Sequence, residues 1–144
     1  MSASIAELAE LIAAEAHAGQ VDKAGQSYIT HPARVAARVA GDEHAVAAAW
    51  LHDVVEDTAV TLSDLEQAFP PDVTAAVDAL TRRRDEAPAD YYARVRRVPL
   101  ALTVKLADMA DNSDPERLAK LDAATRERLI AKYARARAEL TAGV

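Results

Sequence analysis

The chain contains no cysteine, which removes disulfides, thiolate metal sites and cysteine nucleophiles together. Turn formers are scarce, with 4 glycines and 6 prolines in 144 residues. Aromatic residues make up 4% of the chain, so strands, which favour β-branched and aromatic side chains, have little support. No Asn-Gly or Asp-Gly pair marks a hairpin. No long apolar run follows a basic flank, so neither a signal peptide nor a membrane span is expected, and the expected location is the cytoplasm. Positive charge is also short: 17 Lys and Arg against 23 Asp and Glu leave a net charge of −6. That balance argues against a nucleic-acid polymer as partner, because such binders rely on counterion release by clustered cations.

What the chain has is alanine, 35 residues of it, and alanine loses no side-chain entropy in a helix. The expectation is a single all-α domain over residues 1–144, long enough to bury its own core. A first helix starts near Ser4, with Glu7 completing a capping box, and buries Ile5, Leu8, Leu11 and Ile12 before stopping near Gly19. A polar loop follows over residues 20–30. Pro32 suits the first position of a second helix running to about Ala40, which puts His31 at its N-cap. The third helix, residues 43–56, is apolar on nearly every side and should be central. Short helices are expected from Thr61 to near Phe69 and from Pro70 past Leu80, then a charged loop over residues 82–90. A sixth element begins near Ala89 and is interrupted at Pro99, and a second largely apolar helix runs from Leu100 to about Asp111. Residues 112–115 break it, and a last amphipathic helix, residues 123–140, buries Leu129, Ile130, Tyr133 and Leu140.

Both apolar helices carry acids. His52, Asp53, Glu56 and Asp57 crowd the end of the third, where i to i+4 spacing gathers them into one polar patch. Carboxylates there oppose the helix dipole, and burying them unpaired would be costly. Asp108 repeats the pattern, with Lys105 three residues before it and Asn112 four after. Together with His31, the candidate metal ligands are His31, His52, Asp53 and Asp108. Nitrogen and oxygen donors without sulfur suit Mn²⁺ or Fe²⁺, with Zn²⁺ also compatible. One cation beside a spare Glu or Asp is a hydrolytic arrangement. His17 reads as a packed or loop-anchoring residue and His44 as a surface residue. Arg82, Arg83 and Arg84 form the one basic run, which reads as a solvated loop, with a rim attracting a polyanion as the second reading.

Ala16-His17-Ala18-Gly19-Gln20, Lys23, Tyr28-Ile29-Thr30-His31-Pro32, Leu51-His52-Asp53-Val54-Val55-Glu56-Asp57-Thr58 and Val104-Lys105-Leu106-Ala107-Asp108 with Asn112 occur in an order that resembles the HD-superfamily hydrolase domain of the Rel/Spo stringent-response proteins. At this size the chain is similar to a stand-alone small alarmone hydrolase. The resemblance implies an HD-type helical bundle around one Mn²⁺ and removal of the 3′-pyrophosphate of a guanosine alarmone, ppGpp. It places His31, His52, Asp53 and Asp108 at the metal, Glu56 and Asp57 at the attacking water, and Lys23, Asn112 and Tyr133 on the substrate. Asp22, Met109, Asp111 and Pro115 depart from the family pattern near the nucleoside. The same chemistry on another nucleotide (an adenosine alarmone, NADPH or another phosphate ester) is therefore the second reading, and a catalytically idle nucleotide sensor the third. Nothing in the sequence decides whether the chain forms a homo-oligomer.

Overall fold

The computed structural model describes residues 4–22 and 25–142. Within them the chain is all-α: α1 (Ile5–Ala16), α2 (Thr30–Arg38), α3 (Glu43–Leu51), α4 (Val54–Asp57), α5 (Leu62–Glu66), α6 (Pro71–Leu80), α7 (Pro88–Arg96), α8 (Pro99–Asn112), α9 (Pro115–Leu118) and α10 (Ala123–Thr141). The described residues hold no strand, only an isolated bridge between Val21 and Ser27.

The two apolar helices take the middle. α3 packs against α1, α2, α6 and α8, and α8 packs in turn against α2, α6, α7 and α10. Ala45, Ala47, Ala48, Ala49 and Leu51 of α3 are buried. A run of small side chains lets neighbouring helices approach α3 closely, and it leaves no slack for larger residues.

Several boundaries differ from the expected ones for local reasons. In α1 the Ser4 hydroxyl accepts the Glu7 N–H as expected but donates to the Glu7 carboxylate, which leaves the capping box half formed. The fully buried residues of α1 are Ala9 and Ala13, whereas Leu11 is 64% exposed. α2 begins one residue before His31, because the turn at Ser27 to Thr30 winds directly into the helix through Thr30 N–H to Ser27 and His31 N–H to Tyr28. His31 is therefore inside the first turn and not its cap. The expected third helix ends at Leu51, and α4 resumes after a two-residue break. Pro88 starts α7 inside the stretch expected as loop, since proline's missing N–H costs nothing at a helix start. α9 was not expected from the sequence, and Ile130 of α10 is 50% exposed while Ala136 and Leu140 are buried.

An enlarged side chain at the centre should be poorly tolerated. Ala48→Leu is expected to lower stability by about 1–3 kcal/mol in urea unfolding, and Leu11→Ala on the exposed face by no more than about 0.5 kcal/mol.

Candidate metal centre

The break between α3 and α4 arises from one side chain. In an unbroken helix the Ala49 carbonyl would accept the Asp53 N–H. Here the His52 ring donates Nδ1–H to it at 2.6 Å, and the His52 backbone N–H reaches it only at 3.5 Å. Asp53 consequently takes φ −107° and ψ −1°, close to the sparsely used bridge region where many active-site residues sit. The helix restarts when Asp57 N–H bonds to the Asp53 carbonyl at 2.9 Å.

This break presents His52 to two distant elements. Ligand atoms of His31 on α2, His52 and Asp108 on α8 all lie within 4.8 Å of one another, and all three residues are buried. Nε2 of His31 is 2.8 Å from Asp108 Oδ1. Nε2 of His52 is 3.5 Å from the same oxygen and 3.1 Å from Asp53 Oδ2. Asp53 belongs to a second, more exposed group with Glu56 and Asp57, again within 4.8 Å. Of the four expected ligands, three thus form one buried group, and Asp53 joins it through His52 while also meeting the expected catalytic acids. The expected single patch of His52, Asp53, Glu56 and Asp57 is divided between these two groups, because the helix does not continue through it.

The electrostatics favour a cation. His52 Nδ1 donates to a carbonyl, which leaves Nε2 as the ring position that can take up a cation, and this buried atom has no hydrogen-bond partner although two carboxylates face it. Burial opposes a charge on His52, but Asp53 and Asp108 outweigh it and raise the ring's proton affinity well above the ordinary histidine value. Burial likewise pushes the Asp53 carboxyl up, yet the attraction of His52 brings it down to about 2. Asp108 is held well below the usual carboxylate range: against burial stand His31, His52 and Lys105. The donors fit a divalent ion: two imidazoles and anionic oxygens converging on an orphaned nitrogen.

Around this core, Lys105 Nζ is 3.1 Å from Asp108 Oδ2 and sits over the Tyr91 ring at 5.3 Å. Asn112 donates to Asp108 Oδ1 at 3.2 Å. Tyr133, half-buried on α10, lines a hollow with Met109, Ala110 and Ser113. Lys23 lies outside the described residues. Glu56 Oε1 accepts the Arg82 backbone N–H at 2.8 Å. Asp57 is raised above its ordinary value, first by desolvation and then by the charges of Asp53 and Glu56. His17 is buried with Nδ1 2.9 Å from Gln20 Oε1, and the Gln20 amide donates to the Asp57 carbonyl at 3.2 Å. His44 stays near the surface, 2.6 Å from Asp72.

Four residues have contacts here that the sequence did not assign to them. The Tyr28 hydroxyl donates to Asp53 Oδ2. Asp111 bonds both His31 and Arg34. Arg82 stacks over Tyr91 at 4.8 Å, while Arg83 satisfies the carbonyls of Asp78 and Thr81 at the end of α6. Asp111 had a signal, an acid three residues after Asp108 on the same apolar helix. Tyr28 depends on a partner 25 residues away in the chain.

A family model described as HD domain matches residues 9–131. The chain belongs to the HD domain family. The HD domain chain is also 39% identical over 119 residues to guanosine-3′,5′-bis(diphosphate) 3′-pyrophosphohydrolase of Haemophilus influenzae, covering 71% of this chain and 17% of that protein. It is 38% identical over 119 residues to the bifunctional (p)ppGpp synthase/hydrolase SpoT of Escherichia coli, covering 72% of this chain and 17% of that protein. The chain therefore spans about a sixth of the length of these curated relatives. A solved structure, described as a metazoan ortholog of SpoT that hydrolyzes ppGpp, superposes with a TM-score of 0.81 at 24% identity, over 99% of this chain and 88% of that one. At that identity the likeness shows a shared fold.

Metal addition gives a direct check on this centre. With a divalent ion at about 100 times its Kd, the unfolding free energy should rise by about 2.7 kcal/mol. Asp108→Ala should abolish that increment in thermal unfolding, and Leu11→Ala should keep it.

Proposed function

We propose that this HD domain is a metal-dependent phosphohydrolase that removes the 3′-pyrophosphate of a guanosine alarmone, converting ppGpp and water to GDP and pyrophosphate. The observation that carries this reading is the orphaned Nε2 of His52, aimed at Asp53 and Asp108 beside a second acidic group. The names of the relatives from Haemophilus influenzae and Escherichia coli support the substrate class.

His31, His52, Asp53 and Asp108 would hold the ion, with Mn²⁺ the first candidate and Fe²⁺ or Zn²⁺ compatible with the same donors. When bound, a divalent cation supplies Lewis acidity to phosphate oxygens and to water. Glu56 orients the attacking water and accepts its proton, held in place by the Arg82 N–H. Asp57 assists as the second acid beside the water, its proton affinity raised by desolvation and by the charges of Asp53 and Glu56. Tyr28 fixes the Asp53 carboxylate from behind. Asn112 and Tyr133, and Lys23 from its loop, complete the substrate contacts.

A cleft of about 290 Å³ is lined by Arg82, Arg83, Tyr91, Tyr92, Lys132 and Arg135 among others, and by none of the residues of the metal centre. Its wall is continuous with the acids through Arg82, whose N–H meets Glu56, and through Tyr91, over which Lys105 lies. Cations around aromatic faces suit a polyphosphate attached to a nucleoside. Glu86 in the same wall is already paired with Arg94.

One observation favours keeping a second substrate in view. Asp22, where the resemblance has an arginine, turns its Oδ1 to the Gln26 backbone N–H at 2.9 Å and so shapes its own loop. Recognition of the base therefore differs on this side, and an adenosine alarmone or NADPH is the competing substrate for the same chemistry.

Initial rates of pyrophosphate release from ppGpp with Mn²⁺, compared with ppApp and NADPH, test the assignment. Turnover is expected on ppGpp and none in Asp53→Ala; a protein inert on every nucleotide offered, with metal bound, excludes the reading. Glu56→Gln should reduce kcat by about 10²–10⁴-fold at unchanged metal content. Lys132→Ala and Arg135→Ala should raise KM several-fold and leave kcat near the parent value.

A further inference from the structure

His31 is gripped from both sides. Its Nε2 lies 2.8 Å from Asp108 Oδ1, and its Nδ1 lies 2.7 Å from Asp111 Oδ2. Asp111 is among the most deeply buried residues of the chain, at 1% exposure. Its other oxygen accepts Nε–H of Arg34 at 2.8 Å. Both oxygens of one buried carboxylate are thus committed, one to the imidazole on α2 and one to a guanidinium a turn further along that helix.

The two carboxylates flanking His31 differ in what surrounds them. The Asp108 side converges with Nε2 of His52 and with Asp53, leaving a buried nitrogen without a hydrogen-bond partner among anions. Each side holds one fixed cation, Lys105 at Asp108 Oδ2 and Arg34 at Asp111 Oδ1, but only the Asp108 side adds a second imidazole and, through it, a second carboxylate. A metal belongs on the first side and not on the second. A carboxylate that accepts Nδ1–H also makes the opposite nitrogen more basic and sets the plane of the ring, as outer carboxylates do for metal-bound histidines.

We infer that Asp111, braced by Arg34, is a positioning residue that fixes the proton of His31 on Nδ1 and aims Nε2 at the metal. This inference rests on the metal-centre reading above and adds to it a residue that touches neither metal nor substrate. An amide in its place has one acceptor where two are needed, so it can serve His31 or Arg34 but not both.

The test measures divalent-ion affinity of the folded chain, by competition with a chromophoric chelator for Mn²⁺ and Zn²⁺, alongside thermal unfolding of the metal-free protein. Asp111→Asn is expected to raise Kd by about 10- to 100-fold. Arg34→Gln, which leaves the Asp111–His31 bond in place, should raise it less. A Kd within twofold of the parent in Asp111→Asn, with only the metal-free unfolding temperature lowered, overturns the inference and leaves a strut between α2 and α8. The parent protein gives an independent reading should that variant not fold. Loaded with Zn²⁺, ¹⁵N-edited NMR should show His31 protonated at Nδ1, and a ring coordinated through Nδ1 overturns the inference as well. A parent that binds no divalent ion defeats both the metal-centre reading and this one. A parent that binds normally, with Asp111→Asn unchanged, defeats this one alone.

Discussion

Carboxylates sunk into an alanine-packed bundle must be matched by positive charge, and the rest of this structure is arranged around that requirement. Asp108 and Asp111 are buried on one helix, and Asp53, at the α3–α4 break, shares His52 Nε2 with Asp108. Lys105 and Arg34 supply two cations against these three acids. Unpaired charges at such depth would cost several kcal/mol each. The remaining imbalance is concentrated at His52 Nε2, and a divalent ion is the complement that such a donor set calls for.

The fold meets this requirement by bringing together residues that are remote in the chain. Some 77 residues separate His31 from Asp108, and 80 separate it from Asp111. α2 and α8 are adjacent because both pack on α3, whose small side chains let them close around it. The helix break at His52 then turns two polar side chains toward the partners that α2 and α8 present. The helix break and long-range packing thus act on the same few residues.

Much of this was legible in the amino-acid order. Two helices with no exposed face, each bearing acids, pointed to the centre of the bundle and to His31, His52, Asp53 and Asp108 as a group. Periodicity failed where small residues took over. In a chain this rich in alanine the interior is marked by Ala9 and Ala13 and not by Leu11, because close helix approach leaves no room for the larger side chain. It also failed at the end of α3, since competition between a ring nitrogen and a main-chain N–H for one carbonyl leaves no trace in hydrophobic spacing. Arg34 and Tyr28 were unreadable for another reason: each acquires its role only through a partner brought near by the tertiary fold.

The hold on Glu56 comes from the backbone of residue 82, not from its side chain. Any amino acid except proline offers that same amide hydrogen. The arginine there can be exchanged, and the lining of the cleft changed with it, without removing the hydrogen bond that holds Glu56. Taste and reactivity, in this corner of the molecule, can diverge independently through a single codon.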